Sequence, residues 1–461
     1  MKHSNNDSAN AQHTVHAAPE QATTEALAVE QTDVVIIGAG PSGCSAAALL
    51  RQKGYQVILL EKQYFPRFSI GESLLPQSMV FLEQAGLLDT IRDQQKQYAF
   101  QFKNGAAFLR GQQRSAYDFT EKFSAGPGTT WQVKRAHFDQ ILADAVQQQG
   151  ADLRFGHEVL AVDVAQQHPY LTVRDAHGQV YQLQAKFLLD ASGFGRVLPK
   201  ILDLESPSNF PVRRAVFAHI ADGITEQRAE QSDFDRNKIL ITVHEKDHRA
   251  WYWLIPFADG TSSFGVVAEQ DFFDHYGFAD TSPEALQALF EQILADDPAL
   301  SQVLKDKKFI TPVRSLVGYS ANVKYLAQHN FALLGNAGEF LDPVFSSGIT
   351  IALKSSSLAV PLVEKTLAGE SVDWQQQYEQ PLRRGIQVFR AYVEAWYSGE
   401  FQDVVFATSQ NDKIRRMISS LLAGYAWDEQ NPIHKNAEQR LHTLASYCRE
   451  QRHSDHMLEI L

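Results

Sequence analysis

Cysteine is scarce in this sequence: Cys44 and Cys448 are the only two among 461 residues, and they lie far apart. They provide neither a disulfide framework nor a thiolate metal site, and this usage is typical of a reducing cytoplasm. No apolar run approaches the roughly 20 residues that a transmembrane helix needs. The net charge of −12 disfavours nucleic acid or an anionic membrane as a main partner. We therefore predict a cytoplasmic globular protein with no membrane span.

The first 32 residues are rich in Asn, Gln, Ala, Thr and Ser, and they lack the basic start and apolar middle of a signal peptide. We interpret residues 1–32 as a disordered tail. His13 and His16 in this tail, like His453 and His456 near the other end, are more typical of solvated pairs than of metal ligands. We therefore predict no metal site.

An apolar strand, a glycine turn and a helix of small residues follow the tail. Residues 34–37 are continuously apolar, Gly38, Gly40 and Gly43 form G-x-G-x-x-G, and Glu61 closes the next strand. Strand, glycine turn, helix and strand in this order are the context of a dinucleotide site, in which a helix N-terminus receives the pyrophosphate and the acidic residue binds the ribose. Two neighbouring residues are assigned to the same cofactor-binding site: Ser42 and Lys62.

Two later segments favour FAD over NAD. "FLLDASGFGR" places Asp190 at the end of an apolar strand, and "HNFALLGNAGEFLDPVFSSGITIALKSS" places Asn336 in a glycine turn before a helix. Both segments resemble the FAD-dependent monooxygenases of the p-hydroxybenzoate hydroxylase fold. This resemblance implies that Asn336 binds the ribityl chain, although Asp is commoner there. No second glycine fingerprint serves a nicotinamide cofactor, so we expect a separate flavin reductase to supply reduced FAD, unless NAD(P)H binds without such a motif.

The resemblance also implies the fold class. We expect an α/β protein with α+β elements, in which a Rossmann-like FAD-binding domain is interleaved with a β-sheet substrate domain over residues 33–378. From about Glu379 the apolar residues recur at helical spacing, which predicts a C-terminal helical cap over residues 379–461.

A pair of tryptophans stands out in "AWYWLIPFADGTSSFGVV". Trp251 and Trp253 lie two residues apart before Pro256, and a strand places both indoles on one face. A half-buried strand that ends at a proline explains this pattern structurally. The segment also matches W-x-W-x-I-P. Together with F-x-x-P-x-x-S-x-G at residues 340–348 and "FPRFSIGESLLP" at residues 65–76, it resembles the flavin-dependent halogenases over most of residues 33 to about 400.

The halogenase resemblance implies roles for several residues. The tryptophans keep the substrate away from the flavin, and Lys103, in F-x-x-K-x-G-A, holds the halogen of hypohalous acid at the substrate. Tyr98, Phe100 and Phe102 alternate before Lys103 and predict a strand with one aromatic face, and an apolar setting would lower the lysine pKa. Lys96 and Lys134 are weaker alternatives. Further assignments are Ser347 and Gly348 for chloride or bromide, and Arg135, Pro343 and Gly348 for the cofactor, with Arg135 and Asp139 forming a structural motif of the family. Pro256 is assigned to the tunnel, and Glu72 either to the tunnel or to local capping.

The substrate assignment depends on one short motif. Tryptophan halogenases carry E-P-L-E-S-T, whereas Asp342 and Phe345 occupy the two acid positions here. This difference favours an electron-rich phenolic or pyrrole-like substrate, either free or bound to a carrier protein, although Phe345 is equally explained as a packing residue. Five aromatic residues of the cap either stack on the substrate or, as is commoner, pack in the core: Tyr392, Trp396, Tyr397, Tyr425 and Trp427. A non-halogenating monooxygenase and a non-catalytic flavin-binding protein are the alternative functions.

Overall fold

A computed structural model describes residues 29–407 and 411–460, with side chains as far as Arg452. Residues 1–28, with His13 and His16, lie outside the described residues, as do the side chains of His453 and His456. The first strand already begins at Val29, so it includes the last four residues of the predicted tail. The boundary at residue 32 was therefore wrong, because Val29 to Thr32 pair in register with a later strand.

The described residues contain twenty strands. In chain order they are β1 (Val29–Ile37), β2 (Val57–Glu61), β3 (Gln101–Lys103), β4 (Gly105–Arg110), β5 (Gln113–Asp118), β6 (Thr130–Gln132), β7 (Asp152–Phe155), β8 (Glu158–Asp163), β9 (Tyr170–Arg174), β10 (Val180–Asp190), β11 (Glu205–Ser206), β12 (Arg213–Ala221), β13 (Lys238–Val243), β14 (Trp251–Pro256), β15 (Thr261–Glu269), β16 (Lys308–Phe309), β17 (Arg314–Val317), β18 (Asn322–Val323), β19 (Ala327–Gln328) and β20 (Phe331–Leu333).

The same residues contain fourteen α-helices. They are α1 (Pro41–Gln52), α2 (Gln77–Gln84), α3 (Leu88–Gln94), α4 (Arg135–Gln148), α5 (Val197–Ile201), α6 (Glu226–Gln231), α7 (Gln270–His275), α8 (Pro283–Ala295), α9 (Pro298–Val303), α10 (Gly348–Leu367), α11 (Gln380–Tyr397), α12 (Glu400–Val405), α13 (Asp412–Leu422) and α14 (Ala437–Ile460). The four described helices after residue 379 lie in the predicted helical cap, whose boundaries stay a prediction.

A mainly parallel sheet forms the first layer, with the order β19-β20-β10-β1-β2-β7. β1 pairs in parallel with β2 on one side and with β10 on the other. The apolar residues 34–37 are buried because β1 is central and its faces are covered. Helix α1 connects β1 to β2, as a parallel pair requires a crossover.

The second sheet is mainly antiparallel, with the order β16-β12-β15-β14-β13-β4-β5. The chain enters it between β2 and β7 and again between β10 and β19, so the two sheets are interleaved in sequence. This arrangement confirms the predicted fold class. Strand β14 ends at Pro256. As predicted, Trp251 and Trp253 share one face and pack in the core next to the parallel sheet, whereas Tyr252 on the opposite face packs in a second core against α8 and α9.

Within the described part of the chain, no helix is long and apolar enough to cross a membrane. Cys44 and Cys448 are both buried and unpaired with each other. The same part holds no group of three or more His, Cys, Asp or Glu side chains arranged to bind a metal ion. The cytoplasmic location and the absence of a nucleic-acid partner stay predictions.

Candidate active site

A cavity of about 740 Å³ lies where the carboxyl ends of the parallel strands meet one face of the antiparallel sheet. Parallel α/β sheets bind ligands at this edge. Most of the predicted site residues line the cavity: Gly38, Gly40, Ser42, Glu61, Lys62, Glu72, Arg135, Trp251, Trp253, Asn336, Pro343 and Gly348. Five others are not among the lining residues: Gly43, Lys103, Asp190, Pro256 and Ser347.

The glycine turn leaves room for a ligand at one position only. A Cβ on Gly38, whose φ is +95°, would lie 2.6 Å from the Ala191 carbonyl oxygen, and one on Gly43 would lie 2.0 Å from the Gly38 oxygen. A Cβ on Gly40 would meet nothing closer than the Arg67 guanidinium at 3.9 Å. Two of the glycines are therefore required by close backbone packing. The open space at Gly40 lets a ligand approach the backbone where α1 begins, and no side chain in the described part of the chain caps that helix.

Glu61 is buried at the end of β2, beside the glycine turn. One carboxylate oxygen accepts the Ala39 N–H at 3.0 Å, and the other accepts the Gln63 N–H at 2.9 Å. These bonds orient the carboxylate and leave lone pairs for the hydroxyls of a ribose. Lys62 is exposed and pairs with Glu158, with 2.6 Å between Nζ and Oε1.

Asp190 and Arg135 both support the cavity wall. Arg135 is one of the lining residues, and Asp190 is not. The Asp190 carboxylate accepts the backbone N–H groups of Ser192 at 2.9 Å and Leu198 at 2.7 Å, and its burial raises its pKa. It thereby shapes the turn after β10, whose backbone lines the cavity. Arg135 forms a two-pronged pair with Asp139 and donates to the Ile70 carbonyl at 2.6 Å, so it holds the segment before Glu72 in place.

A second helix N-terminus adjoins the cavity at α10. The helix begins at Gly348 after Ser347, and no side chain among the described residues caps it. Ser346 has a left-handed backbone conformation with φ of +55°, which strains a residue that is not glycine. A Cβ on Gly348 would lie 3.9 Å from Asn336 Oδ1, so the two predicted cofactor motifs meet here. The uncapped N–H groups at the start of α10 offer partial positive charge to an anion.

The tryptophan pair forms part of the opposite wall. The two ring centroids are 6.1 Å apart, with 50° between the planes. Trp251 Nε1 donates to the Tyr397 hydroxyl at 2.8 Å, and Trp253 Nε1 donates to Ser263 Oγ at 3.1 Å. Both indoles are buried with their polar atoms satisfied, which is consistent with a rigid wall.

Lys103 lies behind the cavity lining and is 0% exposed. Its Nζ donates to Ser73 Oγ at 2.7 Å and to the Leu74 carbonyl at 2.8 Å, and Ser73 lines the cavity. Burial lowers the pKa of Lys103 from its ordinary 10.5 to about 7. The alternatives differ from it, because Lys96 is exposed and Lys134 pairs with Asp259.

The predicted aromatic strand before Lys103 was wrong in its extent. β3 covers only Gln101 to Lys103, so Tyr98 and Phe100 precede it, and Phe102 is 46% exposed. A three-residue strand cannot present an alternating aromatic face. The Phe119 ring, 5.5 Å from Lys103 Nζ, contributes to the apolar setting instead.

Sequence reasoning missed the partner of Glu72. The Glu72 side chain is 2% exposed and lines the cavity, and its Oε1 lies 2.6 Å from His219 Nε2. His219 belongs to β12 and packs edge-on against Phe257. A single histidine in an apolar strand carries no local signal, and only the pairing of two distant segments brings it to Glu72.

Phe345 is a packing residue. It is buried, with its ring edge-to-face against Tyr392, Trp396 and Phe401. Two of the five candidate aromatic residues of the cap have hydrogen-bond partners within the protein: Tyr425 donates to the Pro127 carbonyl, and Trp427 donates to the Pro381 carbonyl. Of the five, Tyr392, Trp396 and Tyr425 are buried, and the half-buried Tyr397 and Trp427 pack against the same core, so the commoner pattern of core packing applies.

The residues around the cavity fit FAD. The pyrophosphate of a dinucleotide fits the open space at Gly40 and the uncapped N-termini of α1 and α10. Its ribose fits the buried Glu61 carboxylate at the end of β2. Asn336 supplies an amide beside the α10 N-terminus, where it can bind the hydroxyls of a ribityl chain.

Comparison with known proteins agrees with this fit. Residues 31–322 match the family model described as an FAD binding domain. Flavin-dependent halogenase armH3 of Armillaria mellea is 30% identical over 371 residues, which cover 76% of this chain and 70% of that protein. Sulochrin halogenase gedL of Aspergillus terreus is 29% identical over 364 residues, covering 75% and 65%. The chain thus spans less than two thirds of the length of this relative.

Two further proteins extend the comparison. A 1H-pyrrole-2-carbonyl peptidyl-carrier protein chlorinase of Pseudomonas fluorescens is 27% identical over 413 residues, covering 85% of this chain and 89% of that protein. The crystal structure of a flavoprotein/dehydrogenase from Cytophaga hutchinsonii has a TM-score of 0.84 and 38% identity, covering 92% of this chain and all of that chain. The chain belongs to the proteins with this FAD binding domain and, within them, to the flavin-dependent halogenases, which are FAD-dependent oxidoreductases.

Proposed function

We propose that this protein halogenates an electron-rich aromatic compound, using reduced FAD, dioxygen and chloride or bromide. In balance, ArH, halide, dioxygen, FADH2 and one proton give ArX, FAD and two waters. Bound FAD, when reduced, supplies the activation of dioxygen. The observation that carries the proposal is the buried tryptophan pair in the cavity wall, with Lys103 behind the same lining.

Trp251 and Trp253 exclude a competing reaction. An aromatic substrate that reached the flavin would be oxygenated directly, so halogenation requires a barrier that a small halide ion can pass and an aromatic ring cannot. Two indoles with satisfied Nε1 atoms provide such a barrier, since each is held by packing and by a hydrogen bond. The N-terminus of α10 at Ser347 and Gly348 offers the halide partial positive charge.

Lys103 holds the halogen at the substrate. Its pKa of about 7 leaves a large fraction of the amine neutral at physiological pH, and a neutral amine can accept a hydrogen bond from hypohalous acid or react with it. Ser73 Oγ and the Leu74 carbonyl fix the position of Nζ, so the amine is oriented before any ligand arrives. Glu72 lines the same cavity and is oriented by His219.

The proposed substrate is phenolic or pyrrole-like, and it is either free or bound to a carrier protein. Relatives whose names state sulochrin and a carrier-bound pyrrole as substrates support this class. Phe345 also supports it, because a packed phenyl ring stands where tryptophan halogenases carry an acid. We further propose a flavin reductase as the partner that supplies reduced FAD.

Turnover by the purified protein with FAD, a flavin reductase and NADH tests this function. Small phenols, free pyrroles and a carrier-bound pyrrole are offered with and without bromide, and products are identified by mass spectrometry. We expect brominated product that requires bromide and disappears in Lys103→Ala, while Lys96→Ala, the exposed matched control, behaves as wild type. Oxygenated products that ignore bromide and the Lys103 substitution would instead assign a monooxygenase. Reoxidation of FAD without any product from the three substrate groups would contradict the proposal.

A further inference from the structure

Three distant chain segments form a buried polar network behind Trp251. Trp251 Nε1 donates to the hydroxyl of Tyr397 at 2.8 Å, and that hydroxyl donates to Asp342 Oδ2 at 3.0 Å. Tyr397 is the last residue of α11, and Asp342 lies within the motif of residues 340–348 that leads into α10. The other oxygen of Asp342 accepts the Val344 N–H at 3.0 Å. The network thus links the W-x-W-x-I-P segment, the motif of residues 340–348 and the C-terminal helices.

Arg213 completes the network from β12. Its guanidinium carbon lies 3.4 Å from the centroid of the Tyr397 ring, and its NH1 lies 3.6 Å from Asp342 Oδ2. Arg213 is only 4% exposed, and Asp342 is equally buried, which raises the pKa of its carboxyl while Arg213 opposes that rise. A buried ion pair requires accurate placement of both charges, because each loses its water. The Tyr397 ring is therefore held between a cation on its face and a carboxylate at its hydroxyl.

Trp251 differs in this respect from Trp253. The hydrogen bond of Trp253 goes to Ser263 on the neighbouring strand β15, so its partner belongs to the same sheet. The partner of Trp251 belongs to the C-terminal helical region. The position of one indole in the cavity wall therefore depends on how α11 packs against the sheet.

We propose that Tyr397, held by Asp342 and Arg213, is a positioning residue that fixes the Trp251 indole in the cavity wall. This inference rests on the proposed function for its consequence: the C-terminal helices set how completely the wall separates halogenation from direct oxygenation. A tryptophan without its hydrogen bond retains its packing but gains rotamer freedom, and the wall then opens for part of the time.

The test compares Tyr397→Phe with Tyr392→Phe. The first variant keeps the ring under Arg213 and removes the hydroxyl from the network. The second removes a buried hydroxyl from the same helix that has no hydrogen-bond partner among the described residues, which makes it the matched control. Trp251 exposure is read in the FAD-free protein by hydroxyl-radical labelling and peptide mass spectrometry. FAD affinity, peroxide release and the ratio of oxygenated to halogenated product are read in the loaded enzyme.

We expect Tyr397→Phe to raise Trp251 labelling and the oxygenated share of product by about fivefold. This factor is equivalent to ~1 kcal/mol for the one hydrogen bond that the Trp251 indole loses. The FAD affinity of Tyr397→Phe should equal that of the wild type. Tyr392→Phe should match the wild type in Trp251 labelling, FAD affinity and product ratio. In a Trp251→Phe background, Tyr397→Phe should have no further effect on the product ratio, since the indole through which it acts is absent.

Unchanged Trp251 labelling in Tyr397→Phe would overturn the positioning role. If the enzyme halogenates and Tyr397→Phe raises Trp251 labelling without changing the product ratio, the network does not control how well the wall separates halogenation from direct oxygenation, and that claim is overturned. If the wild type makes no halogenated product, the proposed function fails, and Trp251 labelling alone still decides whether Tyr397 positions the indole.

Discussion

Replacing Lys103 with Met should stabilise the fold and abolish halogenation. Methionine has a similar length and no amine to desolvate, so it suits a site that is 0% exposed. Burial lowers the pKa of Lys103 from 10.5 to about 7. Each unit of this shift corresponds to about 1.36 kcal/mol, so the buried amine costs the folded state about 4 kcal/mol at pH 7, where half of it is already neutral, and about 3 kcal/mol at pH 8.

The lost hydrogen bonds reduce this gain. Lys103 Nζ donates to Ser73 Oγ and to the Leu74 carbonyl, and two such bonds contribute about 2 kcal/mol together. The net gain in unfolding free energy for Lys103→Met is therefore about 2 kcal/mol at pH 7 and about 1 kcal/mol at pH 8. Between pH 7 and 10.5 the unfolded wild type binds one more proton than the folded wild type. Wild-type stability therefore rises with pH, and the advantage of the variant shrinks.

Urea unfolding at pH 7, 8 and 9 measures this effect, with Lys96→Met as the exposed control. The control should unfold like the wild type at each pH. A Lys103→Met protein that is less stable than the wild type, by an amount that does not change with pH, would refute the reasoning. In that case the lysine would be stabilised as a charge by its two acceptors, and its pKa could not be low.

Three further predictions follow from the same geometry. If the neutral amine of Lys103 is the reactive form, single-turnover halogenation should rise through about pH 7 and level off above it, because the folded pKa is about 7; a rate that falls over this range would exclude the neutral amine. Gly43→Ala should abolish FAD binding, since its Cβ would lie 2.0 Å from a backbone oxygen; fluorescence titration measures the affinity, and a variant that binds FAD within about twofold of the wild type would contradict the requirement for glycine there. His219→Ala leaves the buried Glu72 carboxylate without its 2.6 Å partner and should lower the unfolding free energy by about 1–3 kcal/mol, and Glu72→Gln in the same background should recover part of that loss.

Local patterns in the sequence predicted the glycine turn after β1 and the shared face of the tryptophan pair. A buried strand followed by G-x-G-x-x-G leaves few conformations to the backbone, because Gly38 needs a positive φ and Gly43 permits no Cβ. The period of two residues in a strand likewise placed both indoles on one face without any knowledge of the partner strands. Such features depend on backbone geometry over a few residues, and the printed sequence contains that information.

Contacts between distant segments were decided by the tertiary structure alone. Nothing near Trp251 in sequence indicates Tyr397, and nothing near Glu72 indicates His219. The low pKa of Lys103 was expected from an apolar setting, but its full burial behind Ser73 depends on the packing of segments that the alternating aromatic pattern misjudged. Backbone preference acts over a few residues, whereas burial and polar pairing are properties of the assembled core. The sequence by itself therefore determined the glycine turn and the face of the tryptophan pair. Only the folded chain determined what holds that pair in place.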